Sequence, residues 1–107
     1  EMMSVFAALQ EIVDELSAGN LHALVESGAS GLTRAELATA LGEYPGRVTT
    51  QTIDSERANI IGYANDPRAG MLEYRLETDG APDDLTVSCE YRMDGPTLVR
   101  IENIHVL

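Results

Sequence analysis

The side chains with the widest chemical reach are few: His22 and His105, the single Cys89, and four tyrosines, set among 18 carboxylates and seven arginines with no lysine. A metal centre needs several ligands at fixed spacing, and neither histidine has a second ligand so placed. Both read as ordinary side chains, with His105 a pH-sensitive candidate because an imidazole titrates near neutrality. Cys89 alternates with Val87 and Tyr91 on the face expected to be buried, where a thiol behaves as a small hydrophobe; a nucleophile would need an electropositive, partly open setting and a base. The missing lysine removes Schiff-base chemistry and a phosphate-loop lysine. Carboxylate groups such as Asp83 with Asp84, or Glu11 with Asp14 and Glu15, lack the glycine-turned loop of a calcium site and read as solvated surface. No glycine-rich phosphate cradle, nucleophile elbow or zinc-protease helix occurs. No catalytic group, metal or cofactor is expected.

The most ordered set of charges lies on two alternating segments. Leu72, Tyr74 and Leu76 alternate with Glu73, Arg75 and Glu77, and Leu85, Val87, Cys89, Tyr91 and Met93 alternate with Thr86, Ser88, Glu90 and Arg92. Period two with one apolar and one polar face predicts a pair of antiparallel strands. Charge suggests the register: Tyr74 opposite Tyr91 would set Arg75 against Glu90 and Glu73 against Arg92. The polar face of this hairpin, Glu73, Arg75, Glu77, Glu90 and Arg92, is the expected surface for a basic partner, whose rim charges would govern association rate and partner choice.

Other elements must hold that hairpin. Val5, Phe6, Leu9, Ile12, Val13 and Leu16 recur at helical spacing, with Gln10, Glu11, Asp14, Glu15 and Ser17 on the opposite side. This amphipathic helix should stop at Gly19, and Asn20 should cap a short second helix through Leu21, Leu24 and Val25. Thr33 and Glu36 have the spacing of a capping box, with Leu32 and Leu37 as its hydrophobic staple, opening a third helix from about Arg34 to Leu41. Beyond Arg47, Val48, Thr49, Thr50, Thr52 and Ile53 suggest a first, weak strand. A clearer one spans Ala58 to Ala64, bounded by the turn residues Asn65, Asp66 and Pro67. In the last strand Val99 and Ile101 share one parity and Ile104 and Val106 the other, which predicts a β-bulge near Glu102 and Asn103. The expected fold is α+β: about three N-terminal helices packed on a curved antiparallel sheet of four to five strands.

At 107 residues the chain suits one domain, and its single cysteine allows no internal disulfide. Glu1 ahead of Met2 and Met3 reads as a remnant before the native start, and the absence of a basic leader or long apolar run fits a cytoplasmic protein. The net charge of −11 is spread along the chain, with two arginines against seven acids in residues 1–52 and five against eleven in residues 53–107. Such a surface repels nucleic acid and anionic lipid and favours a basic protein partner.

The stretch Leu16 to Leu24, with Ser17, Ala18, Gly19, Asn20 and Leu21 at its centre, resembles the helix break of the nuclear transport factor 2 superfamily. Asp84, Leu85, Thr86, Val87 and Ser88, the ending from Ile101 through Glu102, Asn103, Ile104, His105 and Val106 to Leu107, and the Thr33-led helix followed by Glu43 and Tyr44 are similar to a small bacterial family of unknown function with that cone-like form. The resemblance implies a cone whose interior could hold a small molecule. That superfamily contains isomerases and dehydratases as well as non-catalytic binding and immunity proteins, so fold does not choose among them. An enzyme pocket would draw on Tyr63, Tyr74, Tyr91, Asp54, Asp66 and His105. The leading expectation is instead a non-catalytic acidic domain, an immunity protein neutralising a basic toxin such as a nuclease by direct binding. A homodimer through the open sheet face is a further expectation.

Overall fold

The computed structural model describes residues 2–106; Glu1 and Leu107, which enter the readings of the native start and of the C-terminal motif, lie outside the described residues. Three helices, α1 (Met3–Ala18), α2 (Leu21–Glu26) and α3 (Arg34–Gly42), precede four strands, β1 (Ala58–Tyr63), β2 (Asp66–Thr78), β3 (Ala81–Arg92) and β4 (Leu98–Val106). The strands form one antiparallel sheet in the order β1-β2-β3-β4, and the helices pack on one side of it. The α+β class is as expected; the sheet, however, is not strongly curled.

The helix signals act as written. Val5, Leu9, Ile12, Val13 and Leu16 of α1 are buried, with Phe6 half-buried beside them. Gly19 ends the helix in the left-handed region at φ 76°, where its N–H reaches the last carbonyls. Asn20 does not cap α2; its side-chain amide donates to Glu15 Oε1 at 3.2 Å instead. At α3 the capping box forms in full, Glu36 N donating to Thr33 Oγ1 at 3.1 Å and Thr33 N to Glu36 Oε1 at 2.9 Å. Leu37 is buried and Leu32 packs against the same core.

The sheet departs from the expected register. Tyr74 pairs with Val87, Arg75 with Thr86, Glu73 with Ser88 and Met71 with Glu90, four residues away from the pairing that charge suggested. A two-residue turn, followed by a register shift between Arg75 and Glu77, sets this pairing. Asp79 and Gly80 both take positive φ, 53° and 85°, and Thr78 pairs with Ala81, as in the hairpin turn that Asp-Gly favours. Because the shift is even, every side chain keeps its face, so the alternation is preserved while the cross-strand partners change. Leu72, Tyr74, Leu76, Leu85, Val87, Cys89 and Tyr91 line the core with Val99, Ile101 and Ile104. The pairing of Cys89 with Ile101 and Ser88 with Asn103 leaves Glu102 as the extra residue, so the bulge is present and keeps Ile101 and Ile104 both inward.

The weak strand expected at 48–53 is absent as a strand: only Val48 bridges to Thr78. Two glutamines take over its hydrogen bonding. The buried Gln51 side chain accepts from Glu77 N at 2.8 Å and donates to Glu77 O at 3.0 Å and to Thr49 O at 2.7 Å. Gln10, reaching from α1, accepts from Ile53 N at 2.8 Å and donates to Gln51 O at 2.9 Å. Amide side chains offer the same donor and acceptor as a peptide group, so a segment too irregular for a ladder still finds hydrogen-bond partners. The other sheet edge is covered too: Ser30 bridges to Ile101, with Gly31 N on Ile101 O at 2.7 Å. There a Cβ on Gly31 would come within 3.0 Å of Ile101 O and of the Arg100 guanidinium.

Candidate functional site

The face of the sheet turned away from the helices carries all five charged residues expected there. Four of them face an opposite charge, and Glu73 faces a histidine. Glu77 pairs with Arg57 at 3.1 Å, Glu90 with Arg92 at 3.8 Å, Arg75 with Asp84 at 3.8 Å and Glu73 with His105 Nε2 at 3.8 Å when the ring is protonated. Asp66 adds a second carboxylate to Arg92 at 3.6 Å, and Arg100 faces Glu102 at 3.5 Å. Glu73 and His105 reach each other across β3, over Ser88 and Thr86, which accounts for two polar residues buried on an otherwise wet face. The guanidinium of Arg57 donates to the Arg75 carbonyl and lies 5.3 Å from the centre of the Tyr74 ring, so its alkyl stem and charge are both used.

The six residues nominated for an interior pocket meet only in pairs, Asp54 with Tyr74 and Tyr63 with Asp66. Tyr74 and Tyr91 sit in the core, where Tyr74 Oη accepts from Asp54 N at 2.9 Å and Tyr91 Oη fills the space beside Gly70, at 2.6 Å from where a Cβ would stand. Asp54 caps the short turn Ser55–Arg57 through Glu56 N at 3.0 Å. Tyr63 and Asp66 lie at the β1–β2 turn, where Tyr63 Oη donates to Glu90 Oε2 at 2.9 Å. That bond raises the Tyr63 hydroxyl above its ordinary 10.0. His105 is on the outer sheet face, and burial pushes the Cys89 thiol up to about 12, leaving it protonated and inert. Among the described residues no group of His, Cys, Asp or Glu could hold a metal ion, and no helix is long and apolar enough to cross a membrane.

The helical side is different. A groove of about 540 Å³ runs between α1, α2 and the start of β4. Its floor is Ile12, Leu24 and Val99, and Ala8 and Ala23 present only methyl groups toward it, which leaves the space open. Glu11, Asp14 and Glu15 stand along its α1 rim. Their hydrogen bonds are to neutral groups, Gln10 Nε2 on Asp14 at 2.9 Å and Asn20 Nδ2 on Glu15 at 3.2 Å, and among the described residues none of the three pairs with a cation. Glu11 and Glu15 are one turn apart as like charges, and Asp14 and Glu15 approach a helix end whose last turn holds no basic residue. Both arrangements oppose folding by a few tenths of a kcal/mol each. Sequence reasoning set these acids aside as solvated surface; the signal available was the like-charge i, i+4 spacing without any arginine in the first 33 residues.

Compared with family models, curated proteins and solved structures, the chain matches none at a significant level.

Proposed function

We propose that the chain is a non-catalytic acidic domain that binds a basic protein, in the manner of an immunity protein that covers a basic toxin. The observation that carries this reading is the unequal pairing of charge: most carboxylates on the outer face of the sheet lie beside an arginine or His105, whereas, among the described residues, Glu11, Asp14 and Glu15 of α1 have no cation beside them at the edge of an apolar groove. Uncompensated carboxylates raise the encounter rate with a cationic surface and disfavour anionic partners, and with a net charge of −11 the long-range field has the same sign.

Co-expression with the product of the neighbouring gene tests the reading. A complex that co-purifies and dissociates as salt is raised, together with restored growth where that product is toxic, is the expected result. Neither complex nor protection would overturn it.

A further inference from the structure

We infer that the α1–α2–β4 groove receives a cationic amphipathic helical segment of the partner, which seats an apolar side chain on the groove floor and places lysines or arginines against the α1 carboxylates. This rests on the protein-binding reading. The floor, Ile12, Leu24 and Val99, is apolar, and Leu98 at its edge is a large aliphatic side chain left 47% exposed. Such a residue at a cavity rim has apolar surface to gain from a partner. The rim supplies the charge half of the match: Glu11 and Glu15 are one helical turn apart, about 6 Å along the axis, and Asp14 stands beside them. Cations at i and i+4 of a facing helix have that same spacing, with an apolar residue between them directed at the floor. A single apolar anchor in a water-excluding groove, ringed by charge pairs, is the arrangement in which a short segment can dominate a protein interface. An anionic segment, a phosphate backbone or an acidic lipid surface would meet the same carboxylates with the wrong sign.

The probe is a synthetic 14-residue peptide of leucine and lysine, leucines on one helical face and lysines flanking at i and i+4, labelled with fluorescein and titrated with the whole chain. Its scrambled isomer and decalysine serve as comparisons. Saturable binding is expected, at least tenfold tighter than for either comparison peptide at about 0.15 M salt. Glu11→Gln with Glu15→Gln should weaken it tenfold or more, and Leu98→Ala, an exposed truncation that leaves the charge intact, about fivefold. Glu73→Gln with Glu90→Gln removes the same charge from the sheet and should shift Kd less than twofold; circular dichroism on each variant reports folding. Equal binding of all three peptides overturns the amphipathic occupant. A tenfold loss from the sheet variant but not from the groove variants overturns the groove while leaving protein binding in place. No binding of any cationic peptide overturns the groove's occupant and leaves the protein-binding reading to the co-expression test.

Discussion

On the sheet, long charged side chains are tied to one another; on α1, carboxylates of the same type stand beside a groove with no ion pair among the described residues. Glu77 lies 3.1 Å from Arg57 and Glu90 lies 3.8 Å from Arg92, whereas Asp14 and Glu15 accept only from the neutral amides of Gln10 and Asn20. The arginines explain the contrast, since five of the seven fall after residue 52 and only Arg34 and Arg47 precede it. Charge abundance therefore says little about where a partner binds. What distinguishes the two regions is whether the charge is already matched, because a matched pair gains less from a third charge than an unmatched group does.

The sharpest way to separate a self-contained region from an open one is to remove a member of each, and the largest effect should come from Gln51. Gln51→Leu leaves Glu77 N–H and Thr49 C=O without their side-chain partner at the edge of β2, while Glu77 C=O keeps Thr49 N–H at 3.2 Å. A loss of about 2–4 kcal/mol is expected, from the cost of unmade buried hydrogen bonds, read as a lower urea midpoint at unchanged slope. Next is Arg57, which at 17% side-chain exposure holds Glu77, the Arg75 carbonyl and the Tyr74 ring together. Arg57→Ala should cost about 1–3 kcal/mol, since it strands a half-buried carboxylate and ends a cation–π contact. Loss of less than about 0.5 kcal/mol in Arg57→Ala would show that the sheet charges, too, are merely solvated.

Acid probes a sheet carboxylate that is held by neutral donors. Asp83 accepts from the Tyr44 hydroxyl, from Asp84 N at 2.8 Å and from Thr78 Oγ1 at 2.9 Å, and these bonds hold its carboxyl below the ordinary 3.8. Its folded pKa is depressed, so its contribution is present above the unfolded value and is lost as pH falls through the folded one. Stability should therefore decline below about pH 4, and in Asp83→Asn that part of the decline should be absent from acid titrations followed by circular dichroism.

The helices and the bulged last strand were legible because each rests on local chemistry: Thr33 with Glu36, Gly19 at a positive φ, and the parity slip between Ile101 and Ile104. The hairpin register was misread because cross-strand charge was weighed above turn chemistry. Asp79-Gly80 fixes the pairing next to the turn, an irregularity between Arg75 and Glu77 shifts it before the core is reached, and Glu73 then finds His105 across β3. Pairing by Gln51 and Gln10 was not legible, for nothing in a glutamine's neighbours along the chain reveals that its amide will stand in for a strand. The open site was hidden for a related reason. Whether Glu11 and Glu15 have cations depends on which elements pack against α1, and that is a tertiary property.

The smallest expected effect tests the comparison most directly, because its sign is reversed. Neutralising a carboxylate that has a partner destabilises; neutralising one that faces only like charge and a helix C-terminal dipole should stabilise. Glu15→Gln relieves the repulsion from Glu11 and Asp14 and removes a negative charge from the penultimate turn of α1, while an amide at the same place can still accept from Asn20 Nδ2. A gain of about 0.3–1 kcal/mol follows from the usual size of these terms. It should shrink as sodium chloride is raised from about 0.01 to 1 M, since the Debye length falls from roughly 30 to 3 Å and screening relieves the same repulsion in the parent chain. Thermal unfolding of the two proteins along that salt series supplies the measurement. A salt-independent gain would place its origin in helix propensity, and a loss would mean that Glu15 is held by a favourable interaction, which would make α1 a matched region like the sheet.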